Sequence, residues 1–212
     1  MGVIIPHFIM YPLQTQKWAD FELFRRAAVL MQRGTHLTQS GLRMLMNLKR
    51  SSNWGISKDV KAILTSPLAP VVRPEHNMIL PMIPFWISGF TTGDGSFIIS
   101  IVESVGKAVR IRCKFNLTQH IRDHALMLNI RDFFGLGQVL QNRNTYYMDA
   151  SSLKDISKIR EFYKKYPVGG LKYHDFELWL EVHELMKMKA HLTPEGVRKI
   201  KAIKAKQRQY IE

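Results

Sequence analysis

The sequence predicts an α+β protein in which a helix-strand-strand-helix-strand-strand-helix unit, beginning near residue 81, follows a purely helical segment. Three observations predict it. Shifting the chain on itself without a gap places Tyr11-Pro12 on Tyr166-Pro167, Asp20-Phe21-Glu22-Leu23 on Asp175-Phe176-Glu177-Leu178, Leu30-Met31 on Leu185-Met186, His36-Leu37-Thr38 on His191-Leu192-Thr193 and Gly41 on Gly196, an internal repeat. Residues 109–118 alternate between apolar and polar side chains with period two, the mark of a strand with one buried face. Pro84 to Gly95 reads as a helix of about three turns, with a proline suited to the first turn and a glycine suited to the stop.

Composition sets the boundaries. The 212 residues suffice for one large domain or two small ones. Lys and Arg number 31 against 17 Asp and Glu, a net charge of +14, while 46% apolar content is that of a folded chain. The charge therefore lies on a folded surface and points to a polyanion, nucleic acid first and an anionic membrane second. Cys113 is the only cysteine, which excludes an intramolecular disulfide and a thiolate zinc site. No apolar run reaches the ~18 residues of a membrane span. The apolar start, Met1 to Met10, contains Pro6 and His7 without a basic leader and does not read as a signal peptide.

Each copy of the repeat reads as an extended Tyr-Pro, a loop carrying one lysine (Lys17 or Lys172), and two helices, the second capped by Thr38 or Thr193. Residues 1–51 are thus expected to be the C-terminal helical remnant of a first repeat, whose counterpart of Asp94 would fall before Met1. Residues 52–80, broken by Pro67, Pro70 and Pro74, read as a linker with one short helix around Ser57 to Leu64, and residues 81–212 as a complete repeat.

In the helix from Pro84, Gly89 and Gly93 lie four apart on one face. Each interior glycine costs ~1 kcal/mol relative to alanine, and close approach of a second helix would offset that loss. Asp94 sits at the helix C-terminus, where the macrodipole disfavours a carboxylate by ~0.3 to 1 kcal/mol and favours a bound cation. On spacing alone, a solvated aspartate beside a glycine turn is an equal reading.

Phe97, Ile99 and Ile101 open a strand expected to turn near Gly106-Lys107 into the clearest strand of the chain. That strand sets Arg110, Arg112, Lys114, Asn116 and Thr118 opposite Val109, Ile111, Cys113, Phe115 and Leu117. A second hairpin, Gln138 to Asn142 and Thr145 to Asp149, turns at Arg143-Asn144 and offers Gln138, Gln141, Asn142, Arg143 and Tyr147. Asn, Gln and Arg read base edges in a major groove wide enough for a β-ribbon, and the charge balance favours this over an ordinary solvated face. Cys113 reads as a small buried hydrophobe.

The run Ile87-Ser88-Gly89-Phe90-Thr91-Thr92-Gly93-Asp94-Gly95-Ser96-Phe97 resembles the signature helix of the LAGLIDADG homing endonucleases, in the form of the organellar intron-encoded members. Thr118-Gln119-His120, Phe133-Phe134-Gly135, Lys172 before Asp175-Phe176, and the His-Leu-Thr helix starts resemble the same family in the same order. The resemblance implies an αββαββα unit with a saddle-like antiparallel sheet, used twice in single chains or once per subunit in homodimers. It implies a double-stranded DNA endonuclease in which Asp94 is catalytic and, with Gly93, holds Mg2+ or Mn2+. Gln119 would lie near the nucleophilic water, and Lys172 would supply positive charge. The Gly89/Gly93 face would meet a second copy or a missing N-terminal half. Mitochondrial location follows from the same resemblance. Because only one signature acid is present, an intron-RNA-binding splicing cofactor and a non-catalytic DNA-binding remnant stand as competing readings.

Other constellations carry less. Lys187 follows His183 by four, so His183-Glu184 lacks the second histidine of a zinc-protease helix. His120 and His124 read as a helix start rather than a metal pair, and His36 and His191 as local packing beside helix caps. Gly135-Leu136-Gly137 is a turn.

Overall fold

A computed structural model describes residues 2–53, 55–62, 67–75, 81–106 and 108–207. The chain divides into two compact units, Met1–Leu80 and Pro81–Glu212.

The second unit is α+β. Helix α5 (Pro84–Asp94) leads into β1 (Gly95–Val102) and β2 (Arg110–His120); α6 (His124–Phe134) leads into β3 (Gln138–Asn142) and β4 (Thr145–Ala150). Helices α7 (Leu153–Lys165), α8 (Gly170–Lys187) and α9 (Pro194–Gln207) complete it. The strands form an antiparallel sheet in the order β1-β2-β4-β3. Strict alternation divides its faces: Phe97, Ile99, Ile111, Cys113, Phe115, Leu117, Met148 and Ala150 are buried on one. Against them pack Met127 and Ile130 of α6, Ile156, Ile159 and Tyr163 of α7, and Phe176, Trp179 and Val182 of α8. The aromatic centre is tightly interlocked. Phe97 lies 5.0 to 5.5 Å from the rings of Phe115, Tyr163, Phe176 and Trp179. The two polar tips in this cluster find partners, as buried Tyr and Trp require: Trp179 Nε1 donates to Lys114 O at 3.1 Å, and the Tyr163 hydroxyl bonds Thr91 Oγ1 at 2.6 Å. Burial pushes the Cys113 thiol up to about 12, in keeping with an inert small hydrophobe.

The first unit contains α1 (Ile4–Met10), α2 (Lys17–Gln32), α3 (Gln39–Ser51) and the short α4 (Lys58–Ala62). The repeat is structural as well as sequential, since α2 and α3 correspond to α8 and α9 and each pair is joined through a single turn of 3-10 helix. The caps match atom for atom. Thr38 Oγ1 accepts from Gly41 N at 3.0 Å and donates to Thr35 O at 2.8 Å, while Thr193 Oγ1 accepts from Gly196 N at 3.1 Å and donates to Ala190 O at 2.9 Å. A Cβ at Gly41 or Gly196 would come within 1.9 Å of a carbonyl oxygen, so this corner requires glycine.

Burial separates the copies. Trp179 is 0% exposed beneath β1 and β2, whereas its counterpart Phe24 is 48% exposed. Phe24, Leu23, Ala27, Leu45, Met46 and Leu48 line an open apolar groove of about 380 Å³.

The segment expected to be a plain linker is, in its described part, a strap bound to these helices. Arg43 and Arg50 donate to the carbonyls of Pro67 and Leu68, and Ser51 Oγ donates to Val71 O at 2.6 Å. Arg73 pairs with Asp20 at 2.7 Å, and Leu68 is buried. Proline blocks helix here without preventing side chains of α3 from satisfying the extended backbone. The short helix expected over Ser57 to Leu64 is present as α4, and Ile63 and Leu64 lie outside the described residues, as does Lys107 of the predicted β1-β2 turn.

Candidate nucleic-acid interface and catalytic corner

The register assembles the polar face. Ser96 pairs with Asn116, Asn116 with Asp149 and Asp149 with Gln138, one row across four strands; Thr118, Tyr147 and Leu140 form another, and Thr145 faces Asn142. Arg110, Arg112, Lys114, Asn116, Gln138, Asn142 and Tyr147 therefore share one face, with Arg143 at the β3-β4 turn, where it takes a φ of 51°. Arg110, Arg112, Gln138, Asn142 and Arg143 are exposed. Gln141 stands apart from this set. Its pairing with Tyr146 places it on the opposite face, and its amide donates to Arg143 O at 3.3 Å.

The candidate catalytic corner lies where α5 enters β1. Gly95 ends the helix, but in an extended conformation (φ −88°) rather than the left-handed one. What forbids a side chain there is proximity: a Cβ would approach the Thr91 side chain to 2.5 Å and its carbonyl to 2.7 Å. Asp94 is exposed, and its Oδ2 accepts from Gln119 Nε2 at 2.5 Å. Gln119 reaches it because strand parity turns residue 119 toward the helix-covered face just where that face ends. Lys172 Nζ donates to Gly95 O at 2.6 Å. The three residues named from the signature resemblance thus meet at one corner although 78 positions separate the first from the last.

Sequence reasoning missed what holds this corner. Ser88 Oγ donates to Tyr166 O at 2.6 Å, and Thr92 Oγ1 accepts from Gly169 N at 2.9 Å while donating to Ser88 O. These bonds clamp α5 to the loop that delivers Lys172. Beside Lys172, burial raises the carboxyl of Asp175 above its ordinary range, and the nearby Lys172 and His174 counter part of that.

Phe85, 70% exposed, Gly89 and Gly93 form the bare side of α5; a Cβ on either glycine would meet nothing within 4 Å among the described residues. No group of three or more His, Cys, Asp and Glu converges among the described residues. Asp94 and the carbonyls at the end of α5 are hard oxygen donors at the negative pole of a helix, which suits a divalent cation such as Mg2+. They make one flank of such a site, not a whole one.

Remaining histidines have local roles. His120 caps the turn after β2, its Nδ1 accepting from Arg122, and His124 stacks on Tyr146 at 3.9 Å. His36 and His191 each bury an Nδ1 that has no hydrogen-bond partner among the described residues, so they pack rather than bond through that atom.

Residues 87–183 match the family described as LAGLIDADG endonuclease. The I-SmaMI LAGLIDADG homing endonuclease bound to cleaved DNA superposes with a TM-score of 0.92 at 36% identity, covering 98% of this chain and 71% of that one. The chain belongs to the LAGLIDADG homing endonuclease family. A second I-SmaMI structure, bound to uncleaved DNA in the presence of calcium ions, gives a TM-score of 0.90. Among curated relatives, a probable intron-encoded endonuclease of Neurospora crassa is 34% identical over 98% of this chain and 40% of its own length. A protein in ND4 intron 1 of Podospora anserina is 33% identical over 52% of this chain and 26% of its own length. The LAGLIDADG chain described here spans less than half the length of these two curated relatives.

Proposed function

We propose that this chain is the second repeat, with the tail of the first, of a metal-dependent endonuclease that cleaves double-stranded DNA in the mitochondrion. The observation that carries the reading is the corner itself: a signature-helix carboxylate, Asp94, held by Gln119 and adjoined by Lys172 at the edge of a basic sheet face. The intron-encoded relative of Neurospora crassa and the intron of origin of the Podospora anserina protein support the location.

Each residue has work that follows from its chemistry. Arg110, Arg112 and Lys114 attract phosphates, while Asn116, Gln138, Asn142, Arg143 and Tyr147 meet base edges. Asp94 and the carbonyl of Gly93 would hold Mg2+ or Mn2+. When bound, such an ion lowers the pKa of water and stabilises the charge that builds on the attacked phosphate. Gln119 fixes the rotamer of Asp94 and offers its carbonyl oxygen to water. Lys172, tethered to Gly95 O, places an ammonium beside the same oxygens.

One acid serves one flank, so a second must cross the Gly89/Gly93 face. A homodimer and an upstream half could each supply it. The groove of the first unit favours the upstream half: Phe24, Leu45 and Leu48 occupy the positions at which Trp179, Ile200 and Ile203 are buried in the core of the second unit. An amphipathic hairpin like β1-β2, belonging to the first repeat, is the occupant that completes the pattern, and residues 1–51 are accordingly the tail of that repeat.

Duplex binding over a range of salt tests the reading. For Arg110→Ala, Arg112→Ala and Lys114→Ala together, the slope of log affinity against log salt should fall by about 0.9 for each phosphate that the protein no longer neutralises. An unchanged slope places the duplex elsewhere. Tighter binding to intron RNA than to duplex DNA, with no cleavage, supports the splicing-cofactor reading instead.

A further inference from the structure

The polar sheet face carries one acid. Asp149 projects from β4 between Asn116 of β2 and Gln138 of β3, while its neighbours Met148 and Ala150 turn into the core. Every other charged residue on that face is basic: Arg110, Arg112 and Lys114. Asp149 makes no ion pair and no side-chain hydrogen bond among the described residues, although Lys114 and Arg112 stand one and two rows away. It is half-buried and available.

A carboxylate on a surface that meets a polyanion repels phosphates, so it weakens binding unless it meets a donor. It can only accept hydrogen bonds. The major groove offers two base-edge donors, the amino groups at cytosine N4 and adenine N6. Adenine places its N7 acceptor beside the amino group, where it would face the carboxylate unfavourably, whereas cytosine presents N4 without such a neighbour on its own ring. The flanking residues are complementary. Asn116 Oδ1 already accepts from Thr118 Oγ1 at 2.8 Å, which leaves the Asn116 amide N–H groups as its donors, and Gln138 is exposed on the other side. The row therefore presents a donor beside an acceptor, matching a base pair that shows the acceptors of guanine next to the amino group of cytosine.

We propose that Asp149 is a specificity-determining residue that accepts a hydrogen bond from the N4 amino group of a cytosine in the major groove. The assignment rests on the DNA-binding reading and adds to it one position of the target.

Selection from random sequence tests this whatever the target is. The full chain, Asp149→Asn and Asp149→Ala are each used to select duplexes from a pool with randomised blocks, and the retained sequences are compared. Because the Asp149 side chain has no partner among the described residues, all three proteins should melt alike, which separates recognition from folding. The expected result is one position at which the native chain favours cytosine roughly tenfold, lost in Asp149→Ala and lost or moved toward adenine in Asp149→Asn, with other positions unchanged. An identical profile for all three proteins overturns the assignment. So does uniformly tighter binding of the variants to every sequence, which would mean that the carboxylate merely repels phosphates. Failure of the native chain to retain any duplex overturns the DNA-binding reading and this assignment with it.

Discussion

Replacing Gly89 and Gly93 together by alanine asks whether the bare side of α5 is an interface or an ordinary surface. In the chain by itself neither new methyl group meets an atom within 4 Å among the described residues, so there is no steric cost. Both positions lie within the helix, where alanine gains ~0.8 to 1 kcal/mol over glycine, less for Gly93 in the last turn. The sum is a stabilisation of about 1 to 2 kcal/mol, read as a rise of roughly 3 to 8 °C in the thermal transition followed by circular dichroism. On the proposed reading the same substitution should also weaken association with the partner that supplies the second acid, because each methyl group would hold the opposing helix away. Stabilisation of the isolated chain with loss of association is the signature of an interface. A lowered melting temperature would show that the glycines are already packed, and undiminished association would show that the second helix docks elsewhere; either result refutes the reasoning.

Two further outcomes follow. Gly95→Ala forces a methyl group to within 2.5 Å of the Thr91 side chain, and should destabilise the second unit by about 1 to 3 kcal/mol in urea titration while displacing Asp94 from Gln119. His183 is fully buried against Trp179, and burial lowers its pKa from 6.5. Below that value the unfolded chain binds a proton that the folded chain refuses. Its contribution is therefore complete above pH 6.5 and lost as pH falls, with a slope of up to about 1.4 kcal/mol per pH unit. His183→Phe should flatten this part of the stability profile, measured by denaturant midpoints between pH 5 and 7.

Periodicity made the sheet legible. Arg110 to Thr118 alternates without a lapse, and the turn at Arg143-Asn144 falls between β3 and β4 as the residues suggest. Parity also explains why Gln141 stands apart from Gln138 and Asn142: residues 138 and 142 share a face, and an odd position between them cannot. Asp94 was visible as an ill-placed carboxylate at a helix C-terminus, but its meeting with Gln119 and Lys172 depends on tertiary packing that no local pattern encodes. Ser88 and Thr92 were hidden for another reason. Their partners are backbone groups of Tyr166 and Gly169, and backbone groups leave no mark in a sequence. The strap from Pro67 to Arg73 was likewise obscured, because its order comes from Arg43, Arg50 and Ser51 on α3 rather than from its own residues.

The most direct test of the central claim is the cleavage of duplex DNA carrying the selected target by the chain joined to the proposed upstream half, with Asp94 or with Asp94→Asn, in Mg2+. The asparagine keeps the shape and a hydrogen-bonding partner for Gln119 but removes the charge that holds the cation. Undiminished DNA binding with loss of cutting on the strand served by this repeat is the predicted result. Cutting of that strand at the native rate by Asp94→Asn would contradict the account.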